Sequence, residues 1–195
     1  TDQAPGLVED PHLDQLLHDQ IDPDAELNVL GTGLPASPGA AQGRIVFSAQ
    51  EAVTETEAGN KVVLVRRETS PEDIAGMNVA EGILTSRGGM TSHAAVVARG
   101  MGKPCVAGCS DLIVDGKAGK MSIGGMDFKA GDMVTINGTN GSVIEGAPNL
   151  VPPHMDDKNL ATVMAWADET RRLKVRTNAD SPHDAKQARE FGAEG

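Results

Sequence analysis

The stretch from Gly82 to Pro104 most constrains what this chain can become. A short apolar run, Gly82-Ile83-Leu84-Thr85, leads to Gly88-Gly89-Met90-Thr91-Ser92-His93 and then to Ala94-Ala95-Val96-Val97-Ala98-Arg99-Gly100-Met101-Gly102-Lys103-Pro104. The spacing predicts a strand, a glycine turn and a helix, with Gly102-Lys103-Pro104 as the stop signal. Small residues at Ala94, Ala95, Val97 and Ala98 let such a helix pack tightly and fix its N-terminus. A helix N-terminus exposes unpaired N–H groups and partial positive charge, so it receives phosphate well. The two glycines let the backbone approach a bulky anion where a side chain would stand in the way. An imidazole placed there can attack phosphorus and keep the phosphoryl group beside stabilising donors. His93 is therefore the candidate catalytic residue, a covalent phosphoryl carrier, with Gly88, Gly89, Thr91 and Ser92 as its phosphate-stabilising neighbours.

The rest of the chain reads as a β-rich α/β domain over about residues 29–148. With one Trp, three Phe and no Tyr, its core must be built from Val, Ile, Leu, Ala and Met, and 23 glycines permit close backbone packing. Lys61-Val62-Val63-Leu64-Val65 is a continuous apolar run, which fits a central strand better than an edge. Gly43-Arg44-Ile45-Val46-Phe47 predicts another strand, and Ser48 with Glu51 forms a capping-box pattern before a short helix closed by Gly59. Ser70-Pro71-x-Asp73 starts a further helical turn. Short strands are expected at 104–107 and 112–114, and a hairpin joins Val134-Thr135-Ile136 to Ser142-Val143-Ile144. Residues 1–28 predict a helical connector, with Leu13, Leu16, Leu17 and Ile21 on one face. Pro148 and Pro152-Pro153 mark the exit from the domain. A helix over 157–172, a strand over 173–177 and a last helix after Ser181-Pro182 follow. Both ends read as cut from a longer protein.

Several function classes are excluded. A net charge of −11 leaves no basic face for general nucleic-acid or anionic-membrane binding. No apolar run approaches the ~20 residues of a membrane span. No secretory or transit segment opens the sequence, so a cytoplasmic setting is expected. Cys105 and Cys109 supply at best half of a zinc site and read as buried reduced thiols; no metal site is expected. Gly100-Met101-Gly102-Lys103-Pro104 lacks the glycine spacing and the hydroxyl of a P-loop, and Pro35 interrupts Gly31-x-Gly33-x-x-Ala36 as a dinucleotide turn. No Gly-x-Ser-x-Gly elbow surrounds Ser92. His12, His18, His154 and His183 fall in connectors or caps and carry no assigned chemistry.

The segment Gly88 to Gly108 resembles the phosphohistidine signature of the pyruvate phosphate dikinases. The likeness extends upstream through Gly82–Thr85 and Glu68-Thr69-Ser70-Pro71-Glu72-Asp73-Ile74-Ala75-Gly76-Met77. Leu34-Pro35-Ala36-Ser37-Pro38-Gly39-Ala40-Ala41-Gln42-Gly43 resembles the opening of the swivelling domain across phosphoenolpyruvate-utilising enzymes. The resemblance covers nearly the whole chain. It implies a β/β/α swivelling phosphohistidine domain over 29–148, linkers at 1–28 and 149–172, and at 173–195 the truncated first βα unit of a phosphoenolpyruvate/pyruvate-binding TIM barrel. A whole barrel of that kind needs roughly 200 or more residues.

The same resemblance implies a mechanism. The histidine takes a diphosphoryl group from ATP at a nucleotide-binding domain, and inorganic phosphate removes the terminal phosphoryl group. The domain then swivels to the barrel and gives the remaining phosphoryl group, held on the tele nitrogen, to pyruvate enolate. Magnesium and a monovalent cation assist, through ligands outside this sequence. Arg176, in Val175-Arg176-Thr177-Asn178, corresponds to a substrate-binding arginine of the full enzyme. Thr91 corresponds to a site that a regulatory kinase/phosphatase modifies, where phosphate would repel the incoming group. Alone, this chain is expected to carry phosphoryl without turning over the full reaction. Phosphoenolpyruvate synthase and enzyme I of the phosphotransferase system are the rival family members, and both tend to have Arg at the position of Met90. A non-catalytic interaction module with the same fold is the alternative from another class.

Overall fold

The computed structural model describes residues 17–153, 158–177, 182–190 and 193–194. The chain divides into two compact units, one spanning 10–154 and one comprising 1–9 with 155–195.

In the larger unit the strands are β1 (Gln20–Ile21), β2 (Val29–Thr32), β3 (Leu34–Ser37), β4 (Ala40–Val46), β5 (Val62–Arg66), β6 (Gly82–Thr85), β7 (Cys105–Ala107), β8 (Ile113–Asp115), β9 (Lys120–Ile123), β10 (Met126–Lys129), β11 (Met133–Asn137), β12 (Ser142–Glu145) and β13 (Leu150–Val151). The helices are α1 (Ala49–Glu57), α2 (Ile74–Val79), entered through a 3-10 turn at Pro71–Asp73, and α3 (His93–Met101). Eight strands form one sheet in the order β2-β12-β11-β4-β5-β6-β7-β3. The four strands β4, β5, β6 and β7 run parallel, each joined to the next through one of the helical segments. Antiparallel pairs extend the sheet on both sides.

A parallel strand with helices on one face and a second layer on the other is buried on both sides, so it cannot alternate apolar with polar. The run at 62–65 meets that requirement. Val62 and Leu64 pack with Met77, Ala52, Ala94, Ala95 and Ala98 on the helical side. Val63 and Val65 pack with Leu112, Met121, Ile123 and Phe128 on the other side. Those last residues lie on or beside a three-stranded sheet, β10-β9-β8. The unit is therefore three layers: small sheet, large sheet, helices. Each fully buried Val or Leu contributes roughly 1.5–3 kcal/mol, and the scarcity of aromatics is met by two thin aliphatic cores instead of one thick one.

Local signals are largely realised. Ser48 Oγ accepts from Glu51 N at 3.2 Å and caps α1, while Glu51 Oε2 accepts from Phe47 N at 2.8 Å. Gly102, at φ 64°, ends α3 in the left-handed conformation that favours glycine. The hairpin β11–β12 has the expected pairing, with Ile136 opposite Val143.

Two expectations fail. Ile21 lies not in a helix but in β1, where it pairs with Leu150 of β13, and Asp22 N donates to Asn149 O at 3.0 Å. Pro23 would interrupt helical hydrogen bonding in any case. Leu13 and Leu16 lie outside the described residues. In the smaller unit, α4 (Lys158–Thr170) and α5 (Pro182–Glu190) form, but residues 171–177 are exposed and make no strand. A strand needs a ladder, and among the described residues this segment shows one backbone bond of that kind, Glu194 N to Val175 O at 2.8 Å. Arg171 pairs with Asp168 and Glu194 just beyond α4.

Candidate functional site

β5 ends at Arg66 and β6 at Thr85, and the loops that follow them lie side by side. Ser86 N donates to Arg66 O at 3.2 Å, and Arg87 N donates to Arg67 O at 2.9 Å. Open α/β sheets place their ligands outside the C-terminal ends of such parallel strands. His93 stands there as the first residue of α3, half-buried, directly after the cap Ser92.

Its ring is held by one contact. Thr69 Oγ1 lies 2.8 Å from His93 Nδ1, and Thr69 is 7% exposed. A hydroxyl can donate or accept, so the contact suits either ring tautomer. In both cases Nδ1 is engaged, and among the described residues nothing bonds to Nε2. Thr69 is itself held from behind. Asp73 Oδ2 accepts from Ser70 N at 2.9 Å and from Ser70 Oγ at 3.3 Å, closing the 3-10 turn. Asp73 is buried, and a buried carboxylate needs a partner. Arg66 supplies it at 3.4 Å and also donates to Phe47 O at 3.0 Å.

The second loop is built from backbone. Gly88 has φ +111°, and a Cβ there would stand 2.8 Å from the Ser92 Cβ. Ser92 N donates to Gly89 O at 3.0 Å, and Ser92 Oγ accepts from Ala95 N at 3.4 Å. Among the described residues, the N–H groups of Gly89, Met90, Thr91, His93 and Ala94 meet no acceptor. Unpaired N–H groups at and before a helix N-terminus are donors of the kind that suit an anion. Gly88, Gly89, Met90 and Thr91 are exposed. The loop after β7 presses against them: a Cβ on Gly108 (φ +61°) would come within 2.4 Å of Gly88 O. Cys109 N donates to Thr85 O at 3.0 Å, and Thr85 Oγ1 donates to Arg87 O at 2.8 Å.

The structure thus brings together Gly88, Gly89, Thr91, Ser92 and His93. Arg176 lies in the other compact unit, exposed, in the segment that forms no strand. Thr69, Asp73 and Gly108 are additions that sequence reasoning did not assign. The first two lay in plain view within Glu68–Met77, but their role depends on a contact across 24 positions. Burial pushes the Cys105 thiol up to about 12, against the opposing charge of Arg99, and burial also raises Cys109, so neither thiol is a competing nucleophile. Among the described residues no three His, Cys, Asp or Glu side chains converge as a metal site. No helix among the described residues is long and apolar enough to cross a membrane.

Residues 58–141 match the family "PEP-utilising enzyme, mobile domain". That match lies within the larger, layered α/β unit. Over 194 residues, all of this chain, it is 53% identical to the pyruvate, phosphate dikinase of Rhizobium meliloti (strain 1021), of which it covers 22%. It is 56% identical over 190 residues to the chloroplastic pyruvate, phosphate dikinase of Flaveria pringlei, covering 96% of this chain and 20% of that protein. A solution structure of Enzyme I is 29% identical over 56% of this chain and 36% of that one, with a TM-score of 0.31. The chain is thus similar over nearly its whole length to pyruvate, phosphate dikinases, and it spans about a fifth of the length of the curated relatives it matches.

Proposed function

We propose that this domain is a phosphoryl carrier and that His93 Nε2 is the atom that bears the phosphoryl group. The observation that supports this is the 2.8 Å contact between Thr69 Oγ1 and His93 Nδ1, which leaves the other ring nitrogen without a partner among the described residues, on the first residue of a helix whose N-terminal N–H groups are also unpaired. With Thr69 accepting, the proton sits on Nδ1 and the lone pair on Nε2. That pair attacks phosphorus, the bond from phosphorus to the leaving oxygen breaks, and its electrons depart with the leaving group. The ring keeps its Nδ1 proton throughout, so Thr69 serves both the loaded and the empty carrier. The N–H groups of His93 and Ala94, at the positive end of α3, face the charge that accumulates on the phosphoryl oxygens.

In the full reaction this carrier serves ATP and inorganic phosphate at a nucleotide-binding domain and pyruvate or phosphoenolpyruvate at a barrel domain. The net conversion is ATP, phosphate and pyruvate to AMP, diphosphate and phosphoenolpyruvate, in the cytoplasm. Magnesium and a monovalent cation act through ligands in those other domains. Residues 29–148 are the carrier proper, 1–28 and 149–172 its linkers, and 173–195 the first βα unit of the barrel, where Arg176 would contact substrate. Thr91, with its exposed side chain, is the residue a regulatory kinase/phosphatase would modify. The test is intact-mass analysis after incubation with phosphoenolpyruvate and the barrel domain of a pyruvate, phosphate dikinase. An acid-labile phosphoryl adduct present in wild type and absent in His93→Ala is the expected result. An adduct that persists in His93→Ala would sink the assignment.

A further inference from the structure

Arg99 lies in the last turn of α3, where a cation is ordinarily explained by the negative end of the helix. Its guanidinium does something else. Helical side chains lean toward the N-terminus of their helix, and Arg99 reaches back to the loop that precedes His93. One terminal nitrogen donates to Met90 O at 2.6 Å, and the other donates to Ala36 O on β3 at 3.2 Å. Neither carbonyl belongs to α3. The planar fork of a guanidinium therefore ties the exposed second residue of the Gly89–Ser92 turn to a residue of β3 that is 1% exposed.

The tie has a directional consequence. In a trans peptide the C=O and the following N–H point opposite ways, and the domain contains no cis peptide. Holding the Met90 carbonyl toward Arg99 aims the Thr91 N–H away from it. That N–H meets no acceptor among the described residues. Without the tie, among the described residues, the loop of exposed residues Gly88 to Thr91 would keep its own turn bond and the Gly108 contact to fix it.

We propose that Arg99 is a positioning residue for phosphoryl transfer, one that fixes the Met90–Thr91 peptide and so presents the Thr91 N–H as a preset donor at the approach to His93. This rests on His93 being the carrier. A preset donor lowers the barrier because it need not reorganise as charge develops.

The test compares wild type, Arg99→Met, Arg99→Lys and the control Lys103→Met in the full chain, by two readouts. The first is the rate of phosphoryl gain from phosphoenolpyruvate through the barrel domain of a pyruvate, phosphate dikinase. Arg99→Met should slow it by at least about tenfold, and Arg99→Lys should restore little, because an ammonium cannot span both carbonyls. Lys103→Met should match wild type. The second is amide hydrogen exchange, which needs no phosphoryl donor. The Ser92 amide, bonded to Gly89 O, should exchange faster in Arg99→Met while the strand amides of β5 and β6 do not. Full restoration by Arg99→Lys, or a loss that tracks global melting with uniform exchange, would overturn the proposal in favour of simple helix stabilisation. If wild type gains no phosphoryl group, the carrier reading fails, and the exchange pattern still decides whether the tie exists.

Discussion

The two loops that meet at His93 are built on opposite plans. The loop after β5 is held by side chains: buried Thr69 on the ring, buried Asp73 behind Ser70, and half-buried Arg66 on Asp73. The loop after β6 is exposed and is held at its backbone: Arg99 and Thr85 donate to the carbonyls of Met90 and Arg87, and the lack of side chains at Gly88 and Gly108 allows the close approach. The difference matches two demands on one histidine. On the proposed carrier role, the ring needs a single orientation, which the buried Thr69 and Asp73 of the first loop supply. The other ring nitrogen must then be reached by donor and acceptor groups of different shape, and the second loop leaves the N–H groups of Gly89, Met90 and Thr91 unpaired among the described residues.

The largest effect that tests this contrast is at the point where the loops converge. His93→Ala should abolish the phosphoryl adduct completely, while the folded domain persists by circular dichroism. Next is Gly108→Ala, which meets both a 2.4 Å clash with Gly88 O and a positive φ. It should cost about 2–4 kcal/mol in urea unfolding, and a wild-type midpoint would show that the open loop is not seated as described. Thr69→Val keeps the shape of the closed loop but removes the oxygen at Nδ1. Phosphoryl transfer should fall roughly 10–100-fold, the value of about 1.5–3 kcal/mol for a bond to a charged ring, and Thr69→Ser should recover most of it. Equal rates in Thr69→Val and wild type would mean that the ring is oriented by something else.

The smallest effect at neutral pH belongs to Cys105, which serves neither loop. Its folded value of about 12 lies above the ordinary 9.0. The folded protein therefore retains a proton that the unfolded chain releases, and this contribution is complete below pH 9 and is lost as pH rises toward 12. Alkylation of Cys105 at pH 8 should proceed only through unfolding, and rapid labelling of the native domain would contradict its burial.

The sequence made some of this legible and hid the rest for physical reasons. Val62 to Val65 announced a central strand because burial on both faces leaves a continuous apolar run. α3 was readable from its cap, its small residues and its glycine stop, all local signals. β2 and β10 leave no such local signal, since Val29–Thr32 and Met126–Lys129 are short and only partly buried, and β2 takes its form from β12, far along the chain. His93 could be named from its surroundings in sequence. Thr69 could not be given its role, because the hydroxyl matters only once β5 and β6 lie side by side.

The pairing of β1 with β13 brings the chain's entry and exit to one spot, with Asp22 and Asn149 bonded across it. Everything between them is an excursion that returns to its starting point. A domain of that construction behaves as a cassette: it can be lifted out and replaced by a short turn, or transplanted between hosts, with little demand on the flanking sequence. Such modularity gives evolution a way to recombine the carrier with new donors and acceptors while Thr69, His93 and their loops travel together.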